Sequence, residues 1–220
     1  MCGIAGLFNS GKSADAELMR RMANCLAHRG PNAKGYYQHE TIALAHTRLS
    51  IIDLSGGDQP LYSTDKNWVL IANGEIYNHI ELREQLVNRG HAFQTHSDCE
   101  VILHGFREFG APFIEQLCGM FAFALYDKNN NELWLGRDRL GIKPLFYTKS
   151  ANGIAFASEC KALFQFMGNK PELSDSGLAQ YLQNQCCSGR ETAIVGIDKV
   201  LPGELIRIDQ ALKFHSTQYW

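Results

Sequence analysis

Short apolar runs separated by tight-turn residues force this chain to fold back on itself repeatedly. Trp68 to Ala72 is an apolar run followed by Asn73-Gly74, a dipeptide favoured in two-residue hairpin loops, and Glu75-Ile76-Tyr77 leaves that turn as a second strand. Met120 to Tyr126 and Glu132 to Gly136 flank the polar turn Asp127-Lys128-Asn129-Asn130-Asn131. Leu145 to Thr148 and Ile154 to Ala157 flank Asn152-Gly153. Two more short strands are expected over Gly35 to His39 and Ile42 to His46. A first strand spans residues 2 to 8, ending at Asn9-Ser10-Gly11, and a last one follows Pro202-Gly203 over Glu204 to Ile208. Strands joined by such short turns pair antiparallel.

Helical patterns separate these hairpins. Asp15 caps a helix running to about Ala27, with Leu18, Met19, Met22 and Leu26 as its apolar stripe, and His28-Arg29-Gly30-Pro31 stops it. Asn78 caps a helix of about Ile80 to Arg89, ended by Gly90. Ser97, with Glu100 three residues on, reads as a capping box for a helix carrying Val101, Ile102, Leu103 and Phe106. Shorter helices are expected near Pro112 to Leu117, Glu159 to Phe166 and Gly177 to Gln183. Hairpins with a few amphipathic helices give a layered α+β domain.

The 45% hydrophobic and 20% charged content is that of a globular chain with a sizeable core. A formal net charge of -2 suggests neither a nucleic acid nor a membrane surface as partner. There is no run of 18 apolar residues and no signal peptide ahead of Cys2. The 7 cysteines are odd in number, widely spread and without a C-x-x-C pair, which argues against a disulfide framework or structural zinc and for a reducing, cytoplasmic setting. The adjacent pair Cys186-Cys187 receives no role.

The chemistry-bearing candidate is Cys2. Once Met1 is removed, one residue carries both a thiol nucleophile and an α-amine able to act as its base. The unperturbed pKa values, roughly 8.5 for a thiol and roughly 7.7 to 8.0 for an α-amine, need only modest shifts at neutral pH. A small cysteine in a first strand is the bland alternative.

Other patterns compete. Gly6-Leu7-Phe8-Asn9-Ser10-Gly11-Lys12-Ser13 fits G-x-x-x-x-G-K-[ST], a phosphate-cradling loop, and makes a nucleotide-binding module the runner-up. Against it, such loops belong to parallel sheets with alternating helices. Leu54-Ser55-Gly56-Gly57-Asp58-Gln59 loosely matches two ATP-related signatures. Asp127-x-Asn129-x-Asn131 imitates the start of a calcium loop but lacks its glycine and terminal glutamate, so it reads as a turn. The eight histidines include no i, i+4 ligand pair, and no metal is expected.

Eight segments, in order, now carry a resemblance: Cys2 to Gly6, His28 to Pro31, Arg48-Leu49-Ser50-Ile51-Ile52-Asp53, Gln59-Pro60-Leu61-Tyr62, Asn73 to Asn78, Ser97-Asp98-Cys99-Glu100, Gly119 to Ala124, and Gly136 to Leu145. Together they resemble the glutaminase domain of class II glutamine amidotransferases, in the asparagine synthetase branch. The resemblance implies the N-terminal nucleophile hydrolase fold, a four-layer αββα sandwich, over residues 2–208. Residues 209–220 then begin a linker toward an ATP-dependent synthetase domain, in the same full-length chain or a partner subunit. It implies hydrolysis of L-glutamine to glutamate and ammonia for asparagine or a related amide, with Met1 removed. Cys2 is the nucleophile, and Asn73 and Gly74 supply the oxyanion donors. Arg48 grips the α-carboxylate, Asp98 with Glu75 holds the α-ammonium, and Leu49, Ser50, Ile51 and Ile52 line the substrate. Arg29, Arg137 and Asp138 are expected to build the surroundings. No cofactor is expected here, ATP and magnesium belonging to the synthetase half. A homodimer is one expected assembly. A catalytically silent interaction domain of the same fold is the alternative from another class.

Overall fold

The computed structural model describes residues 1–220 apart from 52, 54, 55, 152 and 169. Two six-stranded antiparallel sheets face each other. The first contains β1 (Gly3–Asn9), β2 (Ala33–His39), β3 (Ile42–Arg48), β8 (Phe146–Ser150), β9 (Gly153–Ala157) and β10 (Ile197–Lys199), in the order β10-β8-β9-β1-β3-β2. The second contains β4 (Leu61–Tyr62), β5 (Trp68–Ile76), β6 (Gly119–Asp127), β7 (Glu132–Arg137), β11 (Glu204–Ile208) and β12 (Phe214–Gln218), in the order β12-β11-β7-β6-β5-β4.

Strand alternation sorts side chains into three cores. Ile4, Phe8, Ile42 and Leu44 from the first sheet meet Val69, Ile71, Ala124 and Leu135 from the second, filling the space between sheets. The other face of the first sheet, with Ala5, Leu7, Ala43 and Ala155, is covered by α1 (Ala16–Cys25) and α4 (Cys160–Met167). The outer face of the second, with Leu70, Ala72, Phe121 and Phe123, is covered by α2 (His79–Asn88), α3 (Glu100–Phe109) and a 3-10 turn over Ala111–Gln116. This gives the four αββα layers expected. A fifth helix, α5 (Asp175–Asn184), is capped by Ser174. Among the described residues no helix is long and apolar enough to cross a membrane.

Asp15 caps α1 as expected, accepting from Glu17 N and Leu18 N. Four other expectations need correction. Asn73-Gly74 is not a turn: β5 runs unbroken from Trp68 to Ile76, pairing with β6 throughout. Ser97 and Glu100 form no capping box. The Glu100 carboxylate reaches back to Gln94 N, Thr95 N and the Thr95 hydroxyl, which pins the incoming loop. Asn78 precedes α2 but its amide is spent on Gln116 O and Cys118 N. Residues 209–220 do not leave the domain at 208, because β12 pairs along β11 from Glu204↔Gln218 to Ile208↔Phe214. The turn after Asp127 is a plain one, its carboxylate accepting from Asn129 N and the Asn130 amide.

The phosphate-loop reading also falls here. Gly6 lies inside β1, paired with Leu44 on one side and Phe156 on the other, and a Cβ there would meet the Phe156 ring at 2.3 Å. Strand, not loop, occupies the first half of the motif, and its sheet is antiparallel.

Candidate active site

The open end of the inter-sheet space forms a cavity. Its walls come from Cys2, the end of β3 (His46, Arg48, Leu49), the middle of β5 (Ala72 to Glu75), the loop before α3 (Ser97 to Cys99), and Ile51, Gly57, Gln59, Met120 and Lys143, with Met1 at its edge.

Cys2 sits just before β1, beside the end of β3, since Gly3 pairs with Thr47. Its Sγ accepts from Leu49 N at 3.3 Å and lies 3.7 Å from Leu49 O. The Cys2 carbonyl accepts from Arg29 Nε at 2.9 Å, and Arg29 is anchored in turn on Glu159 at 2.9 Å. Burial alone would raise the Glu159 carboxyl, yet hydrogen bonds from Arg29, His28 and Lys161 together hold it below the ordinary carboxylate value. It therefore stays ionised as the counter-charge of Arg29.

Parity along β5 sets the opposite wall. Val69 and Ile71 face the inter-sheet core, so Asn73 and Glu75 take the same face, toward Cys2. Asn73 is 2% exposed and, among the described residues, its Nδ2 has no hydrogen-bond partner. Buried amides are normally satisfied, so an unmet donor beside a thiol marks a group held for something else. The backbone follows the other parity. Phe121, which faces Gly74 across the ladder, exchanges its N–H and C=O with Asp138 on its far side. The N–H groups of Ala72, Gly74 and Ile76 consequently point away from β6. Ala72 N donates to Gln59 Oε1 at 2.6 Å and Ile76 N to Asp98 Oδ2 at 2.7 Å, and Gly74 N lies between them with the same direction. Gly74 has to be small on its other face, where a Cβ would meet Met120 O and the Phe121 Cβ at 2.7 Å.

The charged groups are similarly placed. Arg48 is buried, donating to Asp58 Oδ1 at 2.7 Å and to Asp53 O at 2.5 Å. Asp98 is 4% exposed and joins Glu75 in the wall. Arg137 donates to the Lys143, Val200 and Gly141 carbonyls, while Asp138 gathers the N–H groups of Phe121, Leu140, Ile142 and Lys143. Both act as the scaffold residues expected.

Of the residues singled out from sequence, the cavity brings together Cys2, Arg48, Leu49, Ile51, Asn73, Gly74, Glu75 and Asp98. Ser50 is not in its wall; its N–H is held by Asn32 Oδ1 at 3.0 Å. Ile52 lies outside the described residues. The sequence reading passed over Gln59, Cys99, His46 and Lys143. Burial, reinforced by the Asp98 charge, pushes the Cys99 thiol well above its ordinary pKa, which keeps this second cavity thiol protonated. Burial lowers His46 to about 4, against smaller opposing effects of the Ala72 backbone and Asp58, and among the described residues neither ring nitrogen makes a well-formed hydrogen bond. His46 alternates with Arg48 on one strand face, a register signal visible in Ile42 to Arg48 once that segment is read as a strand.

The sequence pattern of the glutamine amidotransferase domain matches residues 1–220. This chain belongs to that family. Among curated relatives of the amidotransferase domain, asparagine synthetase [glutamine-hydrolyzing] 1 of Bacillus subtilis (strain 168) is 41% identical over 212 residues, covering 94% of this chain and 33% of that protein. Asparagine synthetase B [glutamine-hydrolyzing] of Escherichia coli (strain K12) is 47% identical over 167 residues, covering 74% and 30%. The chain thus spans about a third of the length of these relatives. Glutamine phosphoribosylpyrophosphate amidotransferase from B. subtilis, complexed with ADP and GMP, superposes on all of this domain and 49% of its own chain, with a TM-score of 0.73 at 22% identity. A second solved structure, an allosteric regulatory enzyme of purine biosynthesis, gives 0.74 at 21%. At that identity the likeness is one of fold, and it agrees with the four-layer αββα sandwich.

Proposed function

We propose that this amidotransferase domain hydrolyses L-glutamine to glutamate and ammonia through a thioester on Cys2. The observation that carries the reading is the buried, unpartnered Nδ2 of Asn73 in the same cavity as the Cys2 thiol.

The reaction needs Met1 to be gone, since the α-amine of Cys2 is otherwise an amide. Met1 is 55% exposed at the cavity edge, within reach of an aminopeptidase. The freed amine takes the thiol proton as sulfur attacks the side-chain amide carbon of glutamine. Negative charge then develops on the amide oxygen. Asn73 Nδ2 and Gly74 N are donors already in place for it, so little reorganisation is required in the transition state. Collapse breaks the carbon–nitrogen bond, the ammonium returns its proton to the leaving nitrogen, and ammonia departs. Water then cleaves the thioester to glutamate and regenerates the thiol. Nucleophile, base and oxyanion donors all come from the chain, so the step is complete without a cofactor.

Substrate recognition follows the charges. Arg48, oriented by Asp58 and Asp53, meets the α-carboxylate. Asp98, with one oxygen holding Ile76 N, and Glu75 meet the α-ammonium. The Leu49 and Ile51 segment supplies the remaining wall.

The curated relatives are by their names glutamine-hydrolysing asparagine synthetases. On that ground the ammonia passes to an ATP- and magnesium-dependent synthetase domain, in the same chain or a partner, that amidates aspartate or a similar carboxylate. Seven free thiols suit a reducing, cytoplasmic setting. Replacing Asn73 with Ala tests the reading: loss of one such donor lowers kcat by about 10²–10³-fold with KM little changed. Unchanged turnover in a folded Asn73→Ala enzyme would rule out the oxyanion role. Absence of ammonia even from processed protein would favour a silent interaction domain.

A further inference from the structure

Lys143 is 6% exposed, lines the Cys2 cavity, and among the described residues its ammonium makes no hydrogen bond or ion pair. The side chain is largely buried with its charge on the cavity side, where a negative group can meet it. Nor is the side chain needed to hold its own loop. The backbone is fixed at both ends, Lys143 N donating to Asp138 Oδ2 at 3.0 Å and Lys143 O accepting from Arg137 Nε at 2.8 Å.

Sheet register says where that charge lies. Ala157 of β9 pairs with Ala5 on one side and with Phe146 on the other, so β1 and β8 run parallel with Ala5 level with Phe146. Three residues back along each strand direction lie Cys2 and Lys143. Both residues lie just ahead of their strands, at the same end of the first sheet, and line one cavity. Lys143 and Cys2 share that cavity with Asn73 of β5.

Apart from the Cys2 ammonium formed when its amine takes the thiol proton, the other groups around the thiol do not supply a free positive charge among the described residues. His46 is neutral at physiological pH, Cys99 is protonated, and Arg48 is matched by Asp58. Arg29, on the Cys2 carbonyl, is matched by Glu159. Glu75 and Asp98, the acidic residues of the wall, supply no positive charge.

We propose that Lys143 supplies the uncompensated positive field that stabilises the anionic states of the site, the Cys2 thiolate and the tetrahedral oxyanion. It acts at a distance through charge, as a positioning residue rather than by transferring a proton. The proposal deepens the glutaminase reading and rests on it for the oxyanion, though not for the thiolate.

The test uses the full chain with Met1 removed. Alkylation of Cys2 by iodoacetamide is followed against pH, with peptide mass mapping to separate Cys2 from Cys99, and glutamine turnover is measured in parallel. Lys143→Met removes the charge and keeps the stem. Its expected effects are an upward move of the alkylation midpoint by about one pH unit, the size of a unit-charge effect over roughly 8–10 Å at intermediate dielectric, and a 10- to 100-fold lower kcat with KM within about threefold. Lys143→Arg restores most of both. Should the Met variant not fold, Lys143→Gln removes the charge with a polar end in place. An unchanged alkylation midpoint in a folded, charge-removed variant overturns the proposal, as does failure of Arg to rescue. If wild type releases no ammonia, the glutaminase reading fails instead, while the alkylation profile still decides what Lys143 does to the thiol.

Discussion

His46 is one residue whose chemistry the cavity alters strongly. Its ring is 1% exposed at the end of β3, and burial lowers its pKa from 6.5 to about 4. As pH falls below 6.5 the unfolded chain takes up a proton that the folded chain refuses until about 4. The contribution of this group to stability is therefore complete above 6.5 and is lost progressively down to about 4. An NMR titration of the His46 ring should give a midpoint near 4; one near 6.5 would mean that the ring is hydrated. Asn73 teaches a different lesson at this scale. In sequence, Asn-Gly between apolar runs is a strong hairpin signal, and it misled because the same two residue types sit inside β5 at the cavity wall. Asparagine provides a side-chain donor, and glycine fits against Met120 and Phe121. Cys2, Arg48 and Asp98 were legible because ordered motifs carried them. His46 was not, since a single polar residue in an apolar run looks like a satisfied core position until the register is known, and Lys143, though inside an ordered segment, carried no sign of facing the cavity.

At the scale of elements, β5 and the loop ahead of α3 depend on each other. Asp98 closes onto Ile76 N, and the loop is held by Glu100, whose oxygens take Gln94 N, Thr95 N, the Thr95 hydroxyl and His104. Burial raises the Glu100 carboxyl, and those hydrogen bonds, His104 first, more than offset it, leaving the group below its ordinary 4.5. A depressed carboxyl contributes stability that is complete above 4.5 and lost as pH falls below it through the folded-state value. Thermal melts across that window should show a shallower acid decline in Glu100→Gln than in wild type, with a lower melting temperature at neutral pH. Parallel declines would separate Glu100 from the acid response. The capping box read at Ser97 failed for a tertiary reason: Glu100 serves the preceding loop, and Cys99 occupies the cap position.

For the whole molecule, a layered α+β domain was readable from hairpins and helix stripes and its four layers were implied by the family resemblance, but the limit of the second sheet was not. Phe214–Gln218 alternates weakly and reads as polar, because β12 is an edge strand with one face in solvent. It is nonetheless tied in. Tyr219 donates to Arg137 O at 2.6 Å, and Ser216 and Arg190 share the fully buried Glu204 carboxylate. Deleting residues 209–220 should cost about 2–4 kcal/mol, taken from partial burial of Phe214 and Tyr219 at roughly 1.5–3 kcal/mol for a fully buried large side chain. Chemical denaturation measures this, and an unchanged midpoint would make β12 dispensable.

The central claim is that Cys2, freed of Met1, is the nucleophile of a glutaminase. Intact mass paired with ammonia release from L-glutamine tests it most directly. Protein lacking Met1 should release ammonia stoichiometric with glutamate, Cys2→Ala should release none, and protein retaining Met1 should be inactive. Ammonia release that survives in Cys2→Ala, or none from the processed wild type, would contradict the account.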